Sequence, residues 1–440
     1  MSASTALLTD RYELTMLDAA LRDGTARRRC VFELFGRRLS GGRRFGVVAG
    51  QGRLMSLLRE FRFDEDELRF LRDEHIVSPE TVSFLERYRF SGSIEGYREG
   101  ELYFPGSPLL TVEGTFADAV ILETLALSVL NHDSAIATAA ARMSVAAGER
   151  PLAEMGSRRA HEQGAVAAAR AAYIAGFTAT SNLEAGRAWG VPTMGTAAHA
   201  WTLLHDTERD AFRAQLDAMG HDTTLLIDTY DIPEGVRHAV ELGGRRLGGV
   251  RIDSGDLPLV AAAVRDQLDE LGNADTRITV TSDLDEYAIA ALAASPVDAY
   301  GVGTSLVTGS GYPTAGLVYK LVAREDAAGD WVSVAKKAQD KGSQGGRKTA
   351  YRRIDDGTAT AEIVRVSDSY SVASGPNPDA DDRPLVVPYV TAGEFATGHE
   401  GAEGVRAARE HHLRVRSELP VHALALSKSD PAIPTIQTTP

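Results

Sequence analysis

Apolar and polar positions follow two rhythms along the chain. Over the first 115 residues, short strand-like runs, CVFELF (30–35) and SIEGYREGELYFPGSPLLTVEG (93–114), mix with amphipathic helical stretches, which predicts an α/β or α+β domain over 1–117. From Asp118 to Ala147 the chain is alanine-rich, with apolar positions at helical spacing and no Pro or Gly before Gly148, so one or two long helices are expected. The middle third repeats a unit of short β-prone run, polar or glycine-containing turn and Ala/Leu-rich helix. Its runs are PLAEMGS (151–157), FTATSN (177–182), VPTMGT (191–196), TTLLIDTY (223–230), GGVRIDSGD (248–256), RITVTSD (277–283) and VDAYGVGTS (297–305). Such a series predicts a parallel α/β sheet. No Gly-rich Rossmann turn follows the first strand, so an irregular TIM-like α/β barrel is preferred over a doubly wound sheet, occupying 118–317 with the helices before it. After Val318 strands return (VYKLVA, WVSVAKK, TAYRRI), predicting a β-rich subdomain over 318–440 that packs on the N-terminal domain. GPNPDADDRP (375–384) reads as a polar loop and Asp430 to Pro440 as a frayed tail.

Composition narrows the picture. With 440 residues and 43% apolar content, two or three domains can each have a core, which excludes a disordered or collagen-like chain. Subtracting 61 acidic from 47 basic residues gives a net charge of -14, a field that repels nucleic acid and anionic lipid. Any anionic ligand must therefore be held by local arginines. The single cysteine, Cys30, excludes a disulfide framework and a thiolate zinc site and suits a reducing compartment. The most apolar window, Ala119 to Leu130, is broken by Glu123, Thr124 and Ser128, so no membrane span is expected. Asp10, Arg11 and Glu13 precede any apolar signal region, and cytoplasm follows.

In a barrel, chemistry collects at the carboxyl ends of the strands. There the sequence places Arg158 and Arg159; Ser181 and Asn182; Thr196 and His199; Asp228, Thr229 and Asp231; Arg251, Asp253, Ser254 and Asp256; Ser282 and Asp283; and Gly301, Gly303 and Thr304. Any one of these suits a wet strand end. Together, cations and a Gly-Val-Gly-Thr loop with free backbone N–H groups fit a phosphate gripped locally, although that loop alone reads equally as a tight turn. Arg251 and Asp253, two apart, share a strand face; they suit a ligand with an anionic and a hydroxylated or Mg²⁺-bound part, or else form a structural ion pair. His199 reads either as a core or cap histidine or as a base or nucleophile toward phosphorus. His75, His132, His161, His205, His221 and His238 show no metal-ligand spacing, so no transition-metal site is expected. Arg27 to Arg29 read as a solvated basic face, whereas GRRLSGGRRF (36–45) is glycine-punctuated and able to approach a phosphate.

The motifs together resemble those of nicotinate phosphoribosyltransferases: LLTDRYELTM (7–16), FELFGRRLSGGRRF (32–45), EMGSRRA (154–160), TSNLEAG (180–186), VPTMGTAAHAW (191–201), LLIDTYD (225–231), GVRIDSGDL (249–257), TSDLDEYAI (281–289) and GVGTSLVT (301–308). KKAQDKGSQGGRKTAYRR (336–353) is similar to the family's lysine-rich segment, with Gly345-Gly346 where a Pro-Gly is expected. The resemblance implies a type II phosphoribosyltransferase fold, an irregular α/β barrel with an α/β domain built from both chain ends. It implies transfer of phosphoribose from PRPP to nicotinate in NAD salvage, with ATP as co-substrate and Mg²⁺ accompanying PRPP and ATP. His199 is implied as the residue transiently phosphorylated by ATP, and Tyr12 as the aromatic covering the pyridine ring across a homodimer. Thr196 and Arg251 become nicotinate contacts and Thr304 the holder of the 5-phosphate. Asp253 falls to the ribose or Mg²⁺-pyrophosphate region and Arg158 or Arg159 to anion binding; from the strand-end set, Ser181, Ser254, Asp283, Gly301 and Gly303 are expected to bind substrate as well. No protein metal ligand is assigned. Competing readings are a phosphoribosyltransferase for nicotinamide or quinolinate, a non-catalytic phosphosugar sensor, and a metal-dependent barrel lyase using Asp228, Asp253 and Asp283.

Overall fold

The computed structural model describes residues 4–335, 344–367 and 382–438. It divides into two compact units, Met1–Thr138 with Tyr312–Pro440, and Ala139–Gly311. Most of the polar loop at 375–384 and the first half of the lysine-rich segment lie outside the described residues.

The first unit is organised by a seven-stranded antiparallel sheet in the order Trp331–Ser333, Leu317–Glu325, Arg29–Gly36, Pro108–Thr115, Ser93–Tyr97, Val386–Thr391, Glu394–Phe395. Strands from both chain ends therefore share one sheet. Arg29–Gly36 lies near its centre, and every residue after Arg29 is buried, as an almost continuous apolar run requires when both faces are covered. The polar exception is Glu33, whose carboxylate takes both bonds from the Lys348 ammonium at 2.9 Å. Burial pushes the Glu33 pKa up and Lys348 draws it back. The described basic residues of the lysine-rich segment are thus structural: Arg347 pairs with Glu95 and Glu113, and Arg352 with Glu362. In GRRLSGGRRF, Arg43 is buried beside the Tyr312 ring and Arg44 donates to the Ser427 hydroxyl.

The expected frayed tail is corrected. Thr435–Thr438 pairs parallel with Thr358–Ser367 in a four-stranded sheet, Ile436 opposite Ile363, so main-chain bonds hold it down. The long helical stretch resolves into Phe116–Val120 and Glu123–Ala147. By length and composition Phe116–Ala147 would pass as a bilayer span, but 67% of its most apolar window is buried and Leu125, Val129 and Leu130 sit in the first unit's core, which marks a core helix.

In the second unit six of the seven predicted runs form one parallel sheet, ordered Ala179–Thr180, Leu152–Glu154, Ala299–Val302, Arg277–Val280, Gly249–Ile252, Thr224–Leu226. Of the expected irregular barrel, this sheet forms a curled parallel half-barrel. VPTMGT contributes a single bridge, Thr193 to Thr180, bonded through the Pro192 carbonyl and the Met194 amide. Pro192 has no N–H to extend a ladder, so the run ends as an edge and the sheet stays open between it and Thr224–Leu226. Helices follow the strands, several with side-chain caps. Asp231 accepts from Glu234 N ahead of Ile232–Gly243, and Asp256 from Leu259 N ahead of Leu257–Glu270, each with proline in the first turn. Those two acids are accounted for as helix caps.

Candidate active site

The carboxyl ends of the parallel strands bring one polar cluster together. His199 opens the short helix His199–Leu204, and its Nδ1 lies 3.1 Å from the Thr229 hydroxyl, just beyond Thr224–Leu226. Its Nε2 stands 3.8 Å from Asp253 Oδ2 and 4.0 Å from Asp228 Oδ1. The two carboxylates differ in setting: the Asp228 side chain is 1% exposed, that of Asp253 40%. Asp228 Oδ2 accepts from the Asp253 amide at 2.8 Å and the Ser254 hydroxyl at 2.7 Å, which fixes the turn after Gly249–Ile252. Its Oδ1 is buried without a hydrogen-bond partner, aimed toward the imidazole. Asp253 is itself held by the Thr281 hydroxyl. The exposed carboxylate faces the opening; the buried one positions it.

Arg251 is not in an ion pair with Asp253. Its guanidinium donates from Nη1 to the Thr196 hydroxyl at 2.8 Å and from Nη2 to the Ala197 carbonyl at 3.1 Å, leaving Nε buried and unpartnered. Burial lowers its pKa, Asp253 and Asp228 raise it, and Arg158 lowers it again. A desolvated cation with neutral partners and a spare donor gains most from a ligand carboxylate.

A second network supports the loops beside it. Glu154, fully buried at the end of Leu152–Glu154, accepts from the Gly156 amide and the Thr180 hydroxyl, and burial raises its pKa. Thr180 in turn receives the Asn182 amide, and Asn182 donates to the Ser157 hydroxyl at 2.9 Å. The loops bearing Arg158, Arg159 and Ser181 are thereby tied together, with all three of those residues exposed. A side chain at Gly301 would meet Thr281 Cγ2 at 2.6 Å and Met155 Sδ at 2.7 Å, so only glycine lets Ala299–Val302 pack there. Gly303 then turns the chain and exposed Thr304 begins the helix Thr304–Val307. Asp283 is exposed and follows Ser282, whose φ of 125° is left-handed and strained for a non-glycine residue. Tyr12 belongs to the other unit; it is 45% exposed on the helix Arg11–Asp23, and burial together with Glu123 pushes its pKa up.

Sequence reasoning did not single out Glu154 or Thr281. Both stand beside candidate residues in quoted motifs, but the signal that matters, a carboxylate or hydroxyl buried against a facing loop, exists only after folding.

A model of the nicotinate phosphoribosyltransferase N-terminal domain matches residues 7–131. A nicotinate phosphoribosyltransferase of Mycobacterium tuberculosis is 55% identical over 438 residues, covering 98% of this chain and 94% of that protein. The chain belongs to the nicotinate phosphoribosyltransferase family. The crystal structure of human nicotinic acid phosphoribosyltransferase superposes with a TM-score of 0.80 at 28% identity, covering 98% of this chain and 97% of the human one. That of a nicotinate-nucleotide pyrophosphorylase from Pyrococcus furiosus gives 0.75 at 25% identity, covering 93% and 95%. In this family setting the half-barrel is the unit that carries His199, Arg251 and Asp253.

Proposed function

We propose that the protein transfers the phosphoribosyl group of PRPP to nicotinate, yielding nicotinate mononucleotide and pyrophosphate in cytoplasmic NAD salvage, and couples the transfer to ATP through His199. Family membership supports the transferase reaction. The observation that carries the assignment within this chain is Arg251, a buried guanidinium with an unpartnered Nε in the same cluster as His199 and Asp253. Nicotinate offers a flat carboxylate to Arg251 and the Thr196 hydroxyl. The pyridine nitrogen is already nucleophilic, so the task is to align it with C1 of the ribose and to stabilise an oxocarbenium-like transition state as pyrophosphate departs. Arg158 and Arg159 supply cationic charge for the pyrophosphate, Ser181, Ser254 and Asp283 polar contacts, and the loop of Gly301, Gly303 and Thr304 the grip on the 5-phosphate.

For ATP coupling, an Nδ1–H donated to Thr229 leaves the Nε2 lone pair free toward the opening. Nε2 attacks the γ-phosphorus, ADP leaves, and the P–N bond is later hydrolysed to inorganic phosphate. Mg²⁺ fits here as a companion of the substrates. Among the described residues no group of three His, Cys, Asp or Glu is arranged to hold a metal, so phosphate oxygens and the exposed Asp253 carboxylate would hold it, and it would neutralise developing phosphate charge. Tyr12, 45% exposed, is suited to cover the pyridine ring of a second subunit in a homodimer, and the strand ends would line an irregular barrel mouth.

The test is pyrophosphate release from PRPP with nicotinate, with and without ATP. Nicotinate-dependent release that ATP stimulates supports the reading; binding without turnover points to a sensor, and release without nicotinate dependence to a lyase. A second reading has one observation behind it: Arg158 acts electrostatically on Arg251, and paired cations would also suit the two carboxylates of quinolinate. That substrate would liberate carbon dioxide along with pyrophosphate. Nicotinamide, being neutral, would leave Arg251 without an anionic partner.

A further inference from the structure

We propose that the unit built from both chain ends carries a separate site for a small organic anion with an apolar or aromatic body. A cavity of about 330 Å³ lies under the helix Arg11–Asp23, with Met16, Ala19 and Ala20 from that helix in its wall. Cys30 and Leu321, from two paired strands, and Phe116 complete its apolar lining. All of its residues belong to the first unit, and none is among the groups that bind or react in the reading above.

Two arginines line the same wall, Arg28 and Arg324. Arg324 stands opposite Cys30 in the strand register and donates to the Glu325 carbonyl at 3.2 Å. Among the described residues neither arginine has a carboxylate at ion-pair distance. Their neighbour Arg29 shows the contrast: it pairs with Glu113 and Glu325 and lies over the Trp331 ring. The wall's carboxylate, Asp23, is engaged by the Thr25 amide at 2.9 Å and hydroxyl at 2.6 Å. The Arg27–Arg29 run is therefore divided, with Arg29 bound into surface ion pairs and Arg28 lining the hollow.

On a chain of net charge -14, two arginines with no carboxylate at ion-pair distance among the described residues, Arg28 interacting with Asp23 only at longer range, suit a ligand that brings its own negative charge beside the apolar surface. Cys30, 2% exposed with its Sγ 3.5 Å from the Arg28 carbonyl, packs into the wall as a small apolar side chain. At about 30 Å³ per water-sized group the hollow takes roughly ten non-hydrogen atoms, the size of trans-cinnamate.

The experiment follows methyl resonances of the full chain labelled with ¹³C-methyl methionine, with Met16 assigned through Met16→Leu. The titrants are trans-cinnamate and its uncharged analogue cinnamyl alcohol. The expected result is a saturable shift of Met16 with cinnamate and binding of the alcohol weaker by about tenfold or more, the worth of a charge-assisted pair. Arg324→Gln and Arg28→Gln should each weaken cinnamate binding. Ala19→Trp, on an exposed helix position, should fill the hollow and remove the shift while the other methionine signals stay in place. The proposal is overturned by an unmoved Met16 at millimolar cinnamate, by equal binding of acid and alcohol, or by binding that ignores both arginine substitutions. A Met16 shift that follows protein concentration instead of cinnamate marks the face as a contact between copies and overturns it as well.

Discussion

Arg251 donates to the Thr196 hydroxyl at 2.8 Å, tying the strand Gly249–Ile252 to the segment beyond the Thr193 bridge. That segment leads to His199, which contacts Thr229 just past Thr224–Leu226 at 3.1 Å. The parallel sheet has no backbone ladder between these two segments. Side chains make the connection that main-chain bonds make elsewhere, and they are the side chains assigned to substrate and phosphoryl chemistry.

Replacement of Arg251 by glutamine should therefore raise the KM for nicotinate more than that for PRPP. Removing one partner of a buried charge pair costs about 2–5 kcal/mol, so a loss of roughly thirtyfold or more in kcat/KM for nicotinate is expected. Arg251→Lys should rescue little, because an ammonium cannot reach Thr196, Ala197 and a carboxylate together. Steady-state kinetics with each substrate varied checks both statements, and an unchanged nicotinate KM would count against the assignment.

His199→Ala should abolish stimulation by ATP while sparing some ATP-independent turnover. Pyrophosphate release measured with and without ATP separates the two, and equal loss of both would refute the coupling role.

Asp228→Asn keeps the size of the side chain but removes the charge that receives the Asp253 amide and the Ser254 hydroxyl. Losing such a supporting partner typically costs about 10- to 100-fold in activity. The decrease should appear in kcat with the fold intact by circular dichroism; a change confined to thermal stability would make Asp228 purely structural.

At Gly301 a methyl group would lie 2.6 Å from Thr281 Cγ2 and 2.7 Å from Met155 Sδ. Overpacking of this kind costs about 1–3 kcal/mol. Gly301→Ala should lower the melting temperature and raise the KM for PRPP, because the loop of Gly303 and Thr304 follows directly. A normal PRPP KM in the variant would dissociate this loop from phosphate binding.

His412, fully buried in the first unit, has Nδ1 3.0 Å from the Gly100 carbonyl and Nε2 without a partner. Burial lowers its pKa to about 4, with Arg416 and His411 adding to the effect and the Gly100 carbonyl and Glu101 opposing it. Below the ordinary histidine pKa the unfolded chain binds the extra proton and the folded chain does not, so stability is lost as pH falls from about 6.5 toward 4, by up to about 1.4 kcal/mol per unit. Urea midpoints across that range should fall, and His412→Asn, which retains a donor for Gly100, should flatten the slope. An identical slope in the variant would assign the acid lability to other groups.

The amino-acid order by itself was enough for the alternation of short apolar runs with helices over 151–305 and for the set of polar strand ends, because these depend on local periodicity and turn chemistry; that Asp231 and Asp256 cap the helices that follow was decided by the fold. It could not tell a closed barrel from a half-barrel: Pro192 reads as a permissible strand residue until a ladder is needed on both of its sides. Nor could it assign Arg251 to Thr196 instead of Asp253, since two residues on one strand face are neighbours in any fold while a partner 55 positions away exists only in this one. The buried supports, Glu154 under two loops and Asp228 behind Asp253, were likewise decided by tertiary packing. Desolvation turns an ordinary carboxylate into a positioning group, and desolvation is a property of the surroundings, which the identity of the residue does not carry.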